Sequence, residues 1–337
     1  MRSTLRQYLI VAGAVLLGGV LTNPGIARAD AAGPTDYRSE ITSISTADGS
    51  PLPSGFAISV EGHDSFLLLT IEPGVTAEVP GYEGEPYLKF DADGSVFENR
   101  LSFSRIYNRD RYGSVERPDY IDNLAEPEWV RVDDDGSYAW HDHRIHYMNT
   151  RPPIGAKPGD VIIDMAVPIG VNGVPVEIGV ESTLLSPNQP LIPLAIAVVI
   201  ALGIAIVTAR PWTRGVERHV LVIAVISLTL GFAWYLELPK DTGPALTWVL
   251  LPATAVIASA IAIIAARGDR RFTSNGASLV AMVQIALWVI DRFGVFDAAL
   301  LPTSLPQWID RALTASVVGA VLPLTYGSTV GLIRASR

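Results

Sequence analysis

Three of the chain's five histidines, His141, His143 and His146, fall within six residues, in Trp140-His141-Asp142-His143-Arg144-Ile145-His146-Tyr147-Met148. Met148, one of four methionines, closes the stretch. Neutral imidazole is the commonest protein metal ligand, and a thioether adds affinity for soft Cu(I). The pattern therefore points to a transition-metal site, copper first and zinc second. The competing reading is a hydrogen-bonded structural cluster, because His-x-His is a short motif.

If Trp140–Met148 is a strand, alternate side chains share a face. His141 and His143 then lie together, with Cα atoms about 6.6–7 Å apart, and His146 and Met148 point the other way. A bulge or turn near Arg144-Ile145 is needed to swing His146 round to the pair. His63 and Met165 are further candidates for the shell. Asp142 is placed to orient an imidazole through its second nitrogen. In the structural reading Asp142 pairs with Arg144, Trp140 stacks over the guanidinium and the histidines bond backbone carbonyls.

The elements that must carry this stretch divide the chain in two. Residues 30–189 hold 27 acidic and 11 basic side chains, net −16; the remainder holds 7 and 14, net +7. So acidic a face disfavours nucleic acid as a partner. There is no cysteine, which excludes disulfides, thiolate metal sites and cysteine nucleophiles. Residues 1–29 read as an export signal: Arg2 and Arg6, an apolar run from Tyr8 to Thr22, then Ala27-Arg28-Ala29 as a cleavage site.

Residues 30–189 are expected to form an extracytoplasmic, all-β, immunoglobulin-like sandwich. Short apolar runs recur between turn signals, as at Phe56–Val60, Phe66–Ile71, Thr76–Val79, Tyr87–Phe90, Trp129–Val132, Val161–Val167 and Val176–Val180. Asn172-Gly173 is the strongest hairpin signal. Asp91-Ala92-Asp93-Gly94 reads as an acidic turn rather than a calcium loop. Ser102–Glu128, polar and aromatic, reads as a long ordered loop covering a site.

Residues 190–337 carry five apolar segments of spanning length, about 191–209, 219–237, 245–266, 277–296 and 312–333. Arginines follow the first, third and fifth, so the positive-inside rule places the β domain outside and the C-terminus in the cytoplasm of a multi-pass plasma-membrane protein. Asp291 and Arg292 interrupt the fourth span towards its outer end, and Gln284 shares a helix face with Asp291. These read as helix–helix hydrogen bonding with interfacial snorkelling, or as an ion- or ligand-binding vestibule. Gly203, Gly231, Gly319, Gly327 and Gly331 are expected to permit close helix contact.

Gly81–Leu88, Asn99, Tyr107–Tyr112, Pro127-Glu128-Trp129 and Trp140–Met148 occur in this order. In that order the segment resembles an actinobacterial membrane-protein family with an exported β domain and a Trp-His-Asp-His-Arg-x-His motif. The resemblance covers about residues 37–186 and implies that architecture without a particular activity. A looser similarity is to copper-resistance-type periplasmic β-sandwiches. No histidine stands at the expected mature N-terminus, Asp30, so an N-terminal copper brace is not part of the expectation.

Three functions follow as expectations. The first is a membrane protein whose outer β domain binds copper or zinc for sensing, delivery or uptake. The second is a non-enzymatic envelope scaffold, partnered by another envelope or membrane protein and by the bilayer, with a structural histidine cluster. The third is a metal-dependent envelope hydrolase of the three-histidine type, with Glu83, Glu85, Glu126 or Glu128 as base.

Overall fold

The computed structural model describes residues 32–149, 151–209, 215–242 and 246–337. The expected export signal and the arginines at 210 and 214 lie outside these residues. The chain divides into two compact units, one running to Pro187 and also taking in Leu238–Pro244, the other made of Asn188–Glu237 and the residues from Ala245 onward. The β unit thus ends two residues before the expected boundary, and it recruits a segment from between two helices. Lys240 of that segment pairs with Asp133 at 2.9 Å and Asp135 at 2.5 Å.

The β unit has ten strands: β1 Tyr37–Thr46, β2 Phe56–Glu61, β3 Phe66–Ile71, β4 Ala77–Pro80, β5 Pro86–Phe90, β6 Val96–Asn99, β7 Trp129–Asp133, β8 Ser137–His141, β9 Val161–Val171 and β10 Val174–Leu184. They form a seven-stranded sheet in the order β1-β10-β9-β4-β5-β6-β7 and a three-stranded sheet β2-β3-β8. Every pairing between described strands is antiparallel. The β9–β10 hairpin turns on Asn172 and Gly173, at φ 50° and 76°. Two consecutive positive φ values give the turn whose twist matches the flanking strands.

Alternation sorts each strand's faces. Val167, Ile169 and Val171 of β9 and Val176, Ile178 and Val180 of β10 are buried, while Pro168 and Glu177 between them are exposed. These residues share one core with Leu67, Leu69 and Ile71 of β3, so apolar faces of both sheets meet. β6 was not among the expected strands. It is short, and its polar Glu98 and Asn99 are buried with partners: Glu98 with Arg105 at 2.6 Å, Asn99 donating to the Pro86 carbonyl at 2.8 Å. Asp91–Ser95 is a plain hairpin turn, with the Asp93 carboxylate accepting from Ser95 N–H at 2.9 Å.

Ser102–Glu128 is irregular except for a one-turn helix, α1 (Phe103–Tyr107), capped by the Ser102 hydroxyl on Ser104 N–H at 3.1 Å. The buried Glu85 carboxylate pins this start, accepting from the hydroxyls of Ser102 and Ser104 at 2.7 Å each.

The helical unit comprises α2 (Leu191–Ala209), α3 (Val216–Tyr235), α4 (Leu246–Arg267), α5 (Arg271–Ile290) and α6 (Gln307–Ala335). Four helical stretches are long and apolar enough to cross a membrane: Val216–Tyr235, Trp248–Arg267, Arg271–Ile290 and Gln307–Ala335. Leu191–Val207 is a shorter apolar helix. α5 sits about six residues earlier than expected. Ser274, Gly276 and Ser278 are buried within it despite their low hydropathy, and Asp291 caps its end. Asp291 and Arg292 therefore follow the helix rather than interrupt it. A Cβ on Gly231 would come within 2.0 Å of the Trp248 carbonyl, and one on Gly319 within 2.2 Å of the Ala197 carbonyl, so these two glycines permit close backbone approach. Gly203 has nothing near it, and Gly327 only ordinary contacts at 3.8 Å.

Candidate metal centre

Strand β8 pairs with β3 so that His141 stands opposite Phe66 and Trp140 opposite Leu67. The strand stops at His141. Asp142 turns the chain by accepting from Arg144 N–H at 3.0 Å, and its carbonyl accepts from Ile145 N–H at 3.1 Å. Ile145, fully buried, and Trp140 belong to the same apolar core, so the reversal is anchored on both sides. That reversal brings His146 back to His141. The expected turn exists; it begins at Asp142, and of the strand assumed for Trp140–Met148 only Trp140 and His141 lie in β8.

The three imidazoles are buried, His146 completely. Their ring centroids lie 4.4 to 5.1 Å apart, and one ligand nitrogen from each falls within 4.8 Å of the others. His141 Nδ1 sits 2.6 Å from the Ser65 carbonyl, which only accepts, so this nitrogen carries the proton. Its Nε2 is then the acceptor in the 2.7 Å contact with His146 Nε2, which donates. His143 Nε2 likewise donates to the Tyr107 carbonyl at 3.1 Å, leaving Nδ1 bare. Nδ1 of His143 and of His146 are buried without a hydrogen-bond partner. The Tyr147 backbone favours the His146 cation slightly, but no hydrogen bond of normal geometry reaches Nδ1.

Burial holds all three rings neutral. It is the largest cause in each case, and the Arg111 charge pushes each ring the same way. His141 falls well below the ordinary imidazole value, His143 is lowered, and His146 is lowered to about 3. Three neutral imidazoles with two outer nitrogens fixed by carbonyls make the donor set a transition metal requires. His146 Nε2 carries the proton it donates to His141, so a bound metal would require that proton to leave, after which His141, His143 and His146 would hold the ion.

The neighbours follow the structural reading in two respects, the Asp142–Arg144 pair and the histidine–carbonyl bonds, and depart from expectation in the others. Asp142 does not orient an imidazole. Its carboxylate is taken by Arg144 Nε at 2.8 Å and Nη2 at 2.6 Å and by Trp140 Nε1 at 2.9 Å. The Arg144 guanidinium stacks over Tyr82, 5.0 Å from the ring centre, rather than over Trp140. Tyr82 accepts from His143 N–H at 2.8 Å and donates to Asn108. Met148 is exposed, and its sulfur meets the Tyr107 hydroxyl at 3.6 Å. Met165 is exposed on β9. His63 adopts φ 68°, and its carbonyl accepts from Ser39 N–H at 3.0 Å.

Sequence reasoning missed Ser65, Tyr82, Tyr107, Asp64 and Arg111 as parts of the centre. Arg111 joins Asp64 at 2.6 Å and the Ser65 hydroxyl at 3.0 Å, and Tyr107 lies against His143 with ring centres 4.3 Å apart. The available signal was the aromatic and basic run Tyr107–Tyr112 within a loop expected to cover a site.

The helical unit holds a second polar cluster. Gln284 is buried with its carbonyl oxygen unpartnered, whereas Asp291 is exposed. The charged centre is Arg292, expected to snorkel but fully buried. It pairs with buried Asp310 at 2.6 Å, and its guanidinium lies 3.8 Å and 4.8 Å from the ring centres of Trp234 and Trp288. Trp234 Nε1 donates to the other Asp310 oxygen at 2.9 Å, while Arg292 Nε and Nη1 have no hydrogen-bond partner.

Comparison of the chain with protein-family models, with curated proteins and with solved structures returns no match.

Proposed function

We propose that this is a multi-pass plasma-membrane protein whose extracytoplasmic β unit, an immunoglobulin-like sandwich, binds a transition metal, copper before zinc, for sensing, delivery or uptake. One observation carries the reading: three buried neutral imidazoles offer ligand nitrogens within 4.8 Å of one another, and His143 Nδ1 is a buried acceptor without a partner. A buried unpaired acceptor costs about 1–3 kcal/mol, and a cation would be its partner once the His146 proton leaves Nε2 and frees a third lone pair. Four apolar helices support the membrane assignment. The orientation rests on the arginines that follow the apolar segments. The resemblance to the actinobacterial family with the Trp-His-Asp-His-Arg-x-His motif belongs to the same proposal.

The scaffold reading is favoured by the 2.7 Å His141–His146 hydrogen bond, the Asp142–Arg144 pair and the carbonyl bonds of His141 and His143, which tie the reversal together without an ion. Metal analysis of the full chain, purified in detergent without a histidine tag, separates the two. The metal reading expects one equivalent of copper or zinc, abolished by His141→Ala with His143→Ala while the far-UV spectrum stays unchanged. A wild type that never takes up metal, with a double variant that unfolds, establishes the structural reading instead.

A further inference from the structure

Resting on that metal-binding reading, we infer that the centre selects a monovalent soft cation, Cu(I), over divalent ions, and that Arg111 sets the selection. The argument is one of charge. The converging ligands are three uncharged rings, and two of their outer nitrogens are held by the carbonyls of Ser65 and Tyr107 rather than by carboxylates. Zinc-type sites commonly lean on a carboxylate behind the histidine, which offsets part of the ion's charge. Here the two fully buried carboxylates beside the cluster are each joined to an arginine: Asp142 to Arg144 at 2.6 Å and Asp64 to Arg111 at 2.6 Å. Asp110, part-exposed on the covering loop, is occupied by the backbone N–H groups of Tyr112 and Ser114.

A divalent ion in this setting has, among the described residues, no carboxylate bonded to a ring behind it; Asp142 and Asp110 favour charge at His143, but each is already occupied by other donors. The desolvation cost of an ion grows with the square of its charge, and its repulsion by a fixed cation grows linearly. Arg111 is that cation: although it is paired with Asp64, it is the member of the pair whose charge lowers all three rings. Its side chain is largely buried, it is bonded to the hydroxyl of the same Ser65 whose carbonyl holds His141, and its charge acts on all three rings. Cu(I) carries half the charge, accepts two or three nitrogen ligands, and is favoured by a dry, soft surround. Phe66 and Tyr107 pack on His141 and His143, and the intervening Ile145 is fully buried in the apolar core.

The test is competition of full-length protein in detergent against chelators of known affinity, with Cu(I) under anaerobic conditions and Zn(II) in a parallel titration. Wild type should hold one Cu(I) at least ~100-fold more tightly than Zn(II). Arg111→Met should tighten both metals, and because repulsion is linear in charge, a tenfold gain for Cu(I) should accompany about a hundredfold gain for Zn(II). Arg111→Lys, which keeps the charge, should leave the ratio near that of wild type. Equal wild-type affinities for the two metals overturn the inference while the metal reading stands. Arg111→Met with an unchanged ratio removes Arg111 as its cause. Failure of both metals to bind defeats the metal reading itself. If Arg111→Met does not fold, the wild-type ratio together with that of Arg111→Lys decides.

Discussion

The histidine cluster and the Arg292 centre both bury polar groups in an apolar setting, yet they leave opposite ends of the hydrogen bond unmade. In the histidine cluster the orphans are acceptors, Nδ1 of His143 and of His146; at the Arg292 centre they are donors, Nε and Nη1. The first cluster is uncharged, so completing it with a cation adds charge where none exists. The second already contains its counter-charge in Asp310 and two indole faces over the guanidinium. A buried ion pair of this kind is a weak source of stability but a severe loss when one partner goes. The neutral cluster therefore reads as a receptor, and the ion pair as a fixture joining α3, α6 and the segment after α5.

The largest expected effect tests the fixture. Asp310→Ala strands the Arg292 charge against Trp234 and Trp288 and removes the acceptor for Trp234 Nε1. Loss of one partner of a buried pair costs about 3–5 kcal/mol. Thermal unfolding in detergent should show it as a large drop in midpoint. A change under about 1 kcal/mol would mean that the pair is open to water and worth no more than a surface pair.

Next comes the receptor. A ligand at 100 times its dissociation constant stabilises the state that binds it by about 2.7 kcal/mol. Saturating Cu(I) should raise the unfolding midpoint of the wild type and leave His141→Ala with His143→Ala unmoved. An equal rise in both proteins would place the metal elsewhere, with His63 the next residue to replace.

Acid sharpens the contrast further. The three imidazoles titrate lower in the folded state than in the unfolded chain, so the unfolded chain takes up protons first as pH falls below about 6.5. The stability they contribute is whole above that pH and drains away as pH falls towards the folded values, about 3 for His146. Each ring still neutral at pH 5 implies about 2 kcal/mol lost relative to pH 8. Chemical denaturation of the metal-free protein at the two pH values measures it. Asp241, raised to about 6, moves stability the opposite way over this window, so an equal change in the wild type and in His141→Ala with His143→Ala contradicts neutral burial of the cluster.

How much of this the sequence disclosed depends on whether the determinant was local. Turn chemistry is local, so Asn172-Gly173 and the strands flanking it were legible to within a few residues. The cluster's membership was legible because three rare side chains lay within six residues. Its geometry was not. The reversal at Asp142 depends on Ile145 and Trp140 finding the core and on the Arg144 guanidinium taking the carboxylate, and no periodicity encodes those contacts. The nitrogens' carbonyl partners, Ser65 and Tyr107, stand 76 and 36 residues away in sequence from the rings they hold. Arg292 was misread for the same reason. Its partner Asp310 is 18 residues on, so an arginine at a helix end looked like one reaching for the interface.

The smallest expected effect concerns Met148, the residue on which sequence and geometry differ most. Its thioether was expected to join the histidines as a soft ligand. In the structure it is 40% exposed and receives the Tyr107 hydroxyl at 3.6 Å, on the far side of a ring that lies against His143. A sulfur contact of this type contributes about 0.3–1.5 kcal/mol, and here it acts through Tyr107 rather than on the ion. Met148→Leu keeps the volume and removes the sulfur, so Cu(I) affinity should change by no more than about threefold, consistent with a contact at the low end of that range. Zn(II) affinity should change by the same small factor, because the contact does not reach the ion. Competition against a Cu(I) chelator reads the change directly. A hundredfold loss confined to Cu(I) would place Met148 in the ligand set. It would also require the segment after His146 to fold over the three rings when the metal arrives.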